Sequence, residues 1–152
     1  MSRCVNTLLG APVFGRLTVA VLAMLAVVSC ADSETADKPV SAVAIGDEVF
    51  GYVQRIVDGD SLYLEGTEAQ IRLWGVDAPE QQDPGYGEAT KTLAAVAGER
   101  QLRCKVVDSD KYERFVGRCF RRDGKEVNRL MLESGTTREY CYFSGGHYGN
   151  CD

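Results

Sequence analysis

The stretch VFGYVQRIVDGDSLYLEGTEAQIRLWGVDAP, residues 49–79, alternates runs of β-branched and aromatic residues with turn signals. The first run, residues 49–57, leads into Asp58-Gly59-Asp60, which is typical of a tight turn. Two shorter runs with alternating apolar residues follow at 61–64 and 71–76, separated by a Gly66-Thr67-Glu68 break. The pattern predicts antiparallel strands that end at Ala78-Pro79, because proline donates no ladder hydrogen bond.

A hairpin in this region brings two carboxylates to one end of the sheet. The start of its first strand lies beside the end of its second, so we expect Asp60 to lie near Asp77. Two neighbouring carboxylates repel each other unless they share a proton or a cation. The sequence therefore predicts a site for a hard metal ion at this end of the hairpin.

The rest of the chain predicts two helices and one further strand pair. Residues 88–97 are typical of a helix that Gly98 ends, and a second helix follows residues 123–124 and ends at Gly135. Between the helices, residues 102–106 and 115–120 predict two strands joined by a polar six-residue connection. The glycine-rich and aromatic residues from 136 onward predict a loop.

Four cysteines beyond Cys30 allow two disulfides. A symmetric six-residue connection places Cys104 directly opposite Cys119, at a separation that a disulfide accepts, with two buried free thiols as the alternative. Cys141 and Cys151 would close the final loop. Together with His147 they are also possible zinc ligands, but a structural zinc site takes four ligands and the chain has no other histidine. We therefore predict the disulfides Cys104–Cys119 and Cys141–Cys151.

The N-terminal residues are typical of an export signal. Arg3 and Arg16 precede a largely apolar run, residues 17–28, which is shorter than the about 20 residues of a membrane-spanning helix. Val27-Val28-Ser29-Cys30 resembles a bacterial lipobox and predicts cleavage of residues 1–29 and lipidation of Cys30; ordinary signal cleavage and an uncut anchor are the alternatives. Residues 30–44 lack aromatic residues and predict a flexible tether, which leaves 45–152 as one domain.

Charge is distributed unevenly along the chain. The leader holds two of the 17 basic residues and no acid, so the remainder has 15 basic and 22 acidic residues, a net charge of −7. Residues 98–130, however, hold 10 basic and 6 acidic residues. Because phosphate attraction depends on nearby Lys and Arg more than on the global sum, this segment could still receive a nucleic acid.

Three motifs together resemble the staphylococcal nuclease (thermonuclease) family: VDGDS at 57–61, IRLWGVDAPE at 71–80 and DKYER at 110–114. They occur in the family's order, and the match extends from about residue 50 to about residue 143. The resemblance implies an α+β fold, a five-stranded OB-type β-barrel with two flanking helices. It also implies calcium-dependent hydrolysis of DNA and RNA phosphodiesters that leaves 3′-phosphates.

The resemblance assigns a calcium site to the acidic residues. Asp60, Asp77 and the backbone carbonyl of Ala78 would bind Ca²⁺, with Asp58 behind them outside the coordination sphere. Glu80 would position or deprotonate the attacking water. This donor set suits Ca²⁺, which takes six to eight oxygen ligands.

The resemblance also assigns the substrate contacts. Arg72 and Arg114 would bind the phosphate and act in catalysis, because planar guanidinium groups bind two oxygens at once and stabilise the charge of the transition state. Tyr112, Tyr140 and Tyr142 would contact the nucleotide.

The chain departs mildly from the family pattern at Ser61 and Ala78, where threonine is usual, and more strongly at two further places. Glu113 stands where glycine is usual, immediately before Arg114, and adds negative charge beside an anionic substrate. The family's final helix is replaced by the loop between Cys141 and Cys151. We expect both departures to weaken substrate binding.

Two other functions compete with a lipid-anchored nuclease of the cell envelope. One is a non-catalytic OB-type domain that binds nucleic acid or a protein, and the other is a structural lipoprotein that uses calcium for stability. In each case the expected location is the periplasmic or extracellular face, reached through a lipid on Cys30, with release from the membrane as an alternative. No obligate protein partner is indicated.

Overall fold

The structure is a computed structural model that describes residues 43–151. The predictions for the signal peptide, for lipidation of Cys30 and for most of the tether fall on residues outside this range. The elements of the described residues are β1 Glu48–Ile56, β2 Ser61–Leu64, β3 Ile71–Leu73, β4 Val76–Asp77, α1 Tyr86–Ala97, β5 Gln101–Ser109, β6 Phe115–Arg121, α2 Val127–Glu133, β7 Arg138–Glu139 and α3 Cys141–Ser144. Over residues 43–151, no helix combines the length and apolar character needed to cross a membrane.

Five strands close into a barrel in the order β1-β2-β3-β6-β5. Neighbours are antiparallel except for the parallel pair β3 and β6. Strand β1 pairs with β5 over residues 48–52 and with β2 over residues 53–56. Gly51 lies at this change of partner, where a Cβ atom would approach the carbonyl oxygen of Glu65 to 2.4 Å. The predicted OB-type α+β fold is confirmed.

The barrel core is built from alternate residues of the strands and from one face of each long helix. Strand residues such as Leu62, Leu64 and Ile71 are fully buried, and Leu93 of α1 and Met131 of α2 join them. The alternation follows from the strand period of two, and the helix contributions follow from the 3.6-residue period. Both predicted helices are present.

The β5–β6 hairpin carries the predicted disulfide between Cys104 and Cys119, which are directly opposed. The connection is not symmetric as predicted, because Ser109 pairs with Phe115 and the register shifts by one residue between Val106 and Asp108. This irregularity restores the predicted pairing further along the strands. The disulfide prediction was therefore right although the assumed loop was one residue too long.

The predicted strand over residues 71–76 is wrong in its second half. Strand β3 ends at Leu73, and Trp74 donates its amide hydrogen to the carbonyl oxygen of Gly117 at 2.8 Å. Gly75 has a left-handed φ of 70°, which turns the chain away from the barrel. Strand β4 then pairs with β7 in a separate two-stranded sheet.

The C-terminal loop is closed by the predicted disulfide between Cys141 and Cys151. It contains the single turn α3, and strand β7 lies immediately before it; the sequence predicted neither element. Because the two sulfur atoms are bonded to each other, they are not the thiolate ligands that the zinc alternative required. A disulfide-closed loop thus stands at the position of the family's final helix.

Candidate active site

A polar cavity of about 250 Å³ gathers most of the predicted site residues. Its walls come from the β1–β2 turn, strand β3, the segment after β4, the start of α1 and the β5–β6 loop. The lining residues are Asp58, Asp60, Arg72, Ala78, Pro79, Glu80, Tyr86, Tyr112 and Arg114. We call this site the acidic cavity. Of its residues, Pro79 and Tyr86 had no predicted role at the site.

Tight packing of the β1–β2 turn positions the two aspartates. A Cβ atom on Gly59 would lie 2.6 Å from the Cβ of Ala89 on α1 and 2.8 Å from the Cβ of Ala78. Only glycine allows the turn to touch both the helix and the segment after β4. Within the turn, the amide of Asp60 donates to Oδ1 of Asp58 at 3.0 Å.

Asp60 is buried, with 4% of its surface exposed. Its carboxylate accepts hydrogen bonds from Ser61 Oγ at 2.8 Å and from the Ala78 amide at 3.3 Å, and it pairs with Arg72 Nη2 at 3.2 Å. The pKa of Asp60 is raised from 3.8 to about 6, mainly by burial and also by Asp58, although the Arg72 guanidinium and the hydrogen bonds from Ser61 and Ala78 act to lower it. The surrounding groups therefore do not fully stabilise the negative charge of ionised Asp60. A cation bound beside the carboxylate would stabilise that charge.

Asp77 does not join this cavity. Its carboxylate pairs with Arg138 Nη2 at 3.0 Å across the β4–β7 sheet, where the two residues are register partners. Asp77 lines a neighbouring cavity of about 470 Å³, which shares Pro79 with the acidic cavity. The end of the second predicted strand does lie beside Asp60, since the Ala78 amide donates to the Asp60 carboxylate, but the Asp77 side chain faces Arg138.

The side chains as they stand form no compact metal cage. Over residues 43–151, no group of three or more His, Cys, Asp or Glu side chains is positioned to hold a metal ion. The donors of the acidic cavity nevertheless suit a hard cation chemically, because Asp58, Asp60 and Glu80 all offer carboxylate oxygens. The Arg138 side chain that pairs with Asp77 is 85% exposed, so water can replace it at low cost.

Arg114 is held by a residue to which we had assigned no role. Asp110 Oδ2 accepts from Arg114 Nε at 2.7 Å and from Nη2 at 2.6 Å, and its Oδ1 accepts from the amides of Tyr112 and Arg114. Burial acts to raise the pKa of Asp110, but these hydrogen bonds outweigh it, so the pKa lies below its usual value. The four-residue spacing of Asp110 and Arg114 within one loop was the sequence feature that could have predicted this pair.

Glu113 occupies a backbone conformation that favours glycine, with a φ of 62°. This explains why glycine is usual at the position in the family. The residue retains the fold of the loop, since its amide donates to the Asp110 carbonyl at 3.0 Å. The departure therefore stores backbone strain beside Arg114 and adds the predicted negative charge.

A second cavity, of about 540 Å³, adjoins the acidic cavity and shares Arg72, Tyr112 and Arg114 with it. Its other walls include Trp74, Tyr140 and Phe143, and we call it the aromatic cavity. The rings of Tyr140 and Phe143 meet edge to face at 4.8 Å. The structure thus places predicted Tyr140 and Tyr112 at the site.

Tyr142 lies elsewhere. It is 84% exposed and does not line the aromatic cavity, whereas Phe143 does. Residues three apart share one side of a helical turn, so α3 points Tyr140 and Phe143 to the same cavity and Tyr142 to solvent. Phe143 and Trp74 are aromatic walls of the cavity that the sequence did not predict.

Glu139 anchors the loop that carries these aromatic walls. Its buried carboxylate accepts from Ser144 Oγ at 2.5 Å, from the Tyr148 amide at 3.0 Å and from the Asn150 amide at 2.8 Å. Burial alone would raise the pKa of Glu139, but the hydrogen bonds lower it below its usual value. A sequence pattern gives no sign of this role, because an isolated glutamate is ordinarily exposed.

Comparison with known families agrees with this geometry. A profile of the family described as "Staphylococcal nuclease homologue" matches residues 70–149. The chain belongs to this family. The matched residues include Arg72, Glu80 and Arg114, whereas Asp58 and Asp60 precede them.

Several curated proteins are similar to parts of the chain. "Succinoglycan biosynthesis protein ExoI" of Rhizobium meliloti (strain 1021) is 37% identical over 91 residues, which cover 53% of this chain and 47% of that protein. An "Uncharacterized endonuclease" of Escherichia coli O157:H7 is 31% identical over 96 residues, which cover 61% of this chain and 62% of that protein. "Probable endonuclease LCL3" of Phaeosphaeria nodorum is 30% identical over 112 residues, which cover 68% of this chain and 38% of that protein. The chain therefore spans less than two thirds of the length of each of these relatives.

Proposed function

We propose that this protein is a calcium-dependent nuclease that hydrolyses phosphodiester bonds of DNA and RNA and leaves 3′-phosphates. The observation that carries the proposal is the meeting of Asp60, Glu80, Arg72 and Arg114 in one cavity that opens beside an aromatic one. The family and the names of two relatives, "Uncharacterized endonuclease" and "Probable endonuclease LCL3", support the same reaction class.

The two arginines would bind the scissile phosphate. A guanidinium group has five N–H donors, so each arginine retains donors for phosphate oxygens beside its contacts to Asp60 or Asp110. Donors held in place by those carboxylates stabilise the negative charge that develops in the transition state without reorganising first. Tyr140 and Phe143 would contact a base of the same nucleotide through their rings.

Glu80 would accept the proton of the attacking water. The water oxygen forms a bond to phosphorus, the bond from phosphorus to the 5′ oxygen breaks, and that oxygen takes a proton from solvent. The products are a 3′-phosphate and a 5′-hydroxyl. Asp60 and the backbone carbonyl of Ala78 would hold Ca²⁺, with Asp58 behind them and Glu80 left free as the base, and the ion supplies charge stabilisation to the phosphoryl oxygens when it is bound.

Cleavage of a labelled single-stranded oligonucleotide by the purified protein, with calcium and with chelator, tests the proposal. Calcium should be required, and Glu80→Gln should lower kcat by about 10²- to 10⁴-fold, as expected for loss of a general base. Glu65→Gln removes an exposed carboxylate at the end of β2 and is the matched control. Cleavage that Glu80→Gln leaves unchanged would contradict the assigned mechanism, and products that lack a 5′-hydroxyl would contradict the assigned bond.

A non-catalytic binding domain is the second candidate. The observation in its favour is that Asp60 and Asp77, the two predicted metal ligands, are each paired with an arginine. This function predicts oligonucleotide binding that persists in Glu80→Gln and no turnover with calcium. The cleavage assay separates it from the nuclease directly.

We also propose that the protein is exported and anchored by a lipid on Cys30. The two disulfides support an oxidising compartment. Metabolic labelling with a radioactive fatty acid should mark the wild type and the control Cys4→Ser but not Cys30→Ser. Equal labelling of Cys30→Ser would disprove the anchor.

A further inference from the structure

The outer face of the barrel carries a row of aromatic and basic side chains that the proposed reaction does not use. On strand β5, Leu102, Cys104 and Val106 are buried, so Arg103 and Lys105 point outward. The same alternation turns two aromatic residues of β1 and two residues of β6 to the outside. We call these six residues, Phe50, Tyr52, Arg103, Lys105, Arg118 and Phe120, the sheet platform.

Strand register joins the members of the sheet platform into cross-strand rows. Arg103 lies between Phe50 on β1 and Phe120 on β6, and Lys105 lies beside Arg118. Neighbouring strands are about 4.8 Å apart, so these side chains form one continuous surface. Phe50 is 58% exposed and Tyr52 is 48% exposed, which is unusual for aromatic residues that have no ligand to cover them.

The guanidinium groups of the platform lie over aromatic rings. Arg103 Cζ is 4.8 Å from the ring centre of Phe120, and Arg118 Cζ is 5.7 Å from the same centre. Arg103 also pairs with Glu48, and Arg118 pairs with Glu126. Both arginines are therefore held close to the Phe120 ring by carboxylates, while exposed Lys105 presents a positive charge to solvent.

The platform is continuous with the aromatic cavity. Arg118 Cζ lies 5.9 Å from the ring centre of Trp74, which is a wall of that cavity. Alternating rings and guanidinium groups thus lead from the cavity across β6 to β5 and β1. A nucleic-acid strand that places one nucleotide in the cavity would meet the platform with its following nucleotides.

We propose that the sheet platform binds single-stranded nucleic acid outside the active site. Flat aromatic and guanidinium surfaces stack on bases without regard to sequence, and Lys105 attracts the phosphate backbone. The segment that supplies β5 and β6, residues 98–130, is also the basic part of an otherwise acidic chain, which gives charge complementarity to a polyanion. The inference deepens the proposed function, since it describes how a long substrate is held.

Binding of labelled dT4 and dT16, measured by fluorescence anisotropy with the full chain in chelator, tests the platform without cleavage. OB-type domains bind about 4 to 16 nucleotides, so dT4 probes the cavities and dT16 also probes the platform. The double variant Phe50→Ser/Tyr52→Ser should weaken dT16 binding about tenfold, as expected for lost stacking, and leave dT4 binding within about twofold. Ile45→Ser is the control, because Ile45 is 64% exposed but lies outside the platform.

A second variant tests the charge independently. Lys105→Gln should reduce the slope of log affinity against log salt for dT16 by about 0.7, the value for one phosphate contact to a single strand. Thermal unfolding of each variant should match the wild type, because all three substituted side chains are solvent-facing. This variant keeps the test valid if the aromatic double variant fails to fold.

Three results would overturn the platform. They are failure of the wild type to bind dT16, unchanged dT16 binding in both variants, and loss of binding to phosphatidylcholine–phosphatidylglycerol vesicles by the double variant with dT16 binding retained. The last result would assign the exposed rings to a membrane. Calcium-dependent cleavage of dT4 is measured separately, so failure of the proposed reaction is distinguishable from failure of the platform.

Discussion

Replacing Asp60 by asparagine should stabilise the protein at neutral pH while it removes the centre of the proposed active site. The buried carboxylate has a pKa of about 6 against an ordinary value of 3.8. Each unit of pKa difference corresponds to 1.36 kcal/mol, so keeping Asp60 ionised costs the folded state up to about 3 kcal/mol at pH 7.5. Asparagine fits the same space: its carbonyl oxygen can accept from the Ala78 amide, while its Nδ2 can donate to Ser61 Oγ.

The pH dependence has a definite sign. Between pH 3.8 and about 6, folded Asp60 binds its proton more tightly than unfolded Asp60, so this group's contribution to stability falls as the pH rises. Below pH 3.8, Asp60 is protonated in both the folded and the unfolded state, so its ionisation should make little difference between the unfolding free energies of wild type and Asp60→Asn. Above about pH 6 the variant should be more stable by up to about 3 kcal/mol.

Urea denaturation in chelator, with the disulfides intact, measures the difference at pH 4 and at pH 7.5. Asp123→Asn is the control, since it removes an exposed carboxylate that pairs with Arg121, and it should change stability by no more than about 0.5 kcal/mol at either pH. If Asp60→Asn destabilises the protein by the same amount at both pH values, the ion pair with Arg72 outweighs burial and the reasoning is refuted.

Three further predictions concern the metal, the loop strain and the C-terminal anchor. Calcium at about 100 times its Kd should raise the unfolding free energy of the wild type by about 2.7 kcal/mol and that of Asp60→Asn by much less, in the same urea assay; equal effects would place the ion elsewhere. Glu113→Gly should stabilise the protein by about 0.5 to 1 kcal/mol, because glycine adopts the left-handed backbone conformation without strain. Glu99→Gly should have a similar effect, since Glu99 has a φ of 56°. Thermal unfolding measures both changes, and a loss of stability in both variants would contradict the proposed strain. Glu139→Ala should cost about 3 kcal/mol at pH 7, since it leaves three donors without their acceptor. That contribution should fade as the pH falls below the ordinary value of 4.5, and a cost that stays constant down to pH 3 would argue against a charged Glu139.

Local patterns in the chain were sufficient for most of the barrel strands and for both long helices, whereas the closed barrel and half of the site were implied by the family resemblance. Alternation with a period of two, turn residues and helix ends predicted the strands, both long helices and the Cys104–Cys119 pairing, because these features depend on neighbours along the chain. The resemblance carried by the motifs assigned Asp60, Arg72 and Arg114 to one site, and the structure places all three at one cavity. Family membership, which the profile match supports, rests on those same local motifs.

Contacts between distant segments were beyond local patterns. Asp77 faces Arg138, 61 residues further along, because β4 leaves the barrel to pair with β7. The turn of α3 brings Phe143, and not Tyr142, to the aromatic cavity. Glu139 is buried because the loop closed by the second disulfide folds over it and saturates its carboxylate. The direction of a side chain at these positions depends on which distant segment packs beside it. Hydrophobic periodicity and motif spacing in the sequence do not identify that segment.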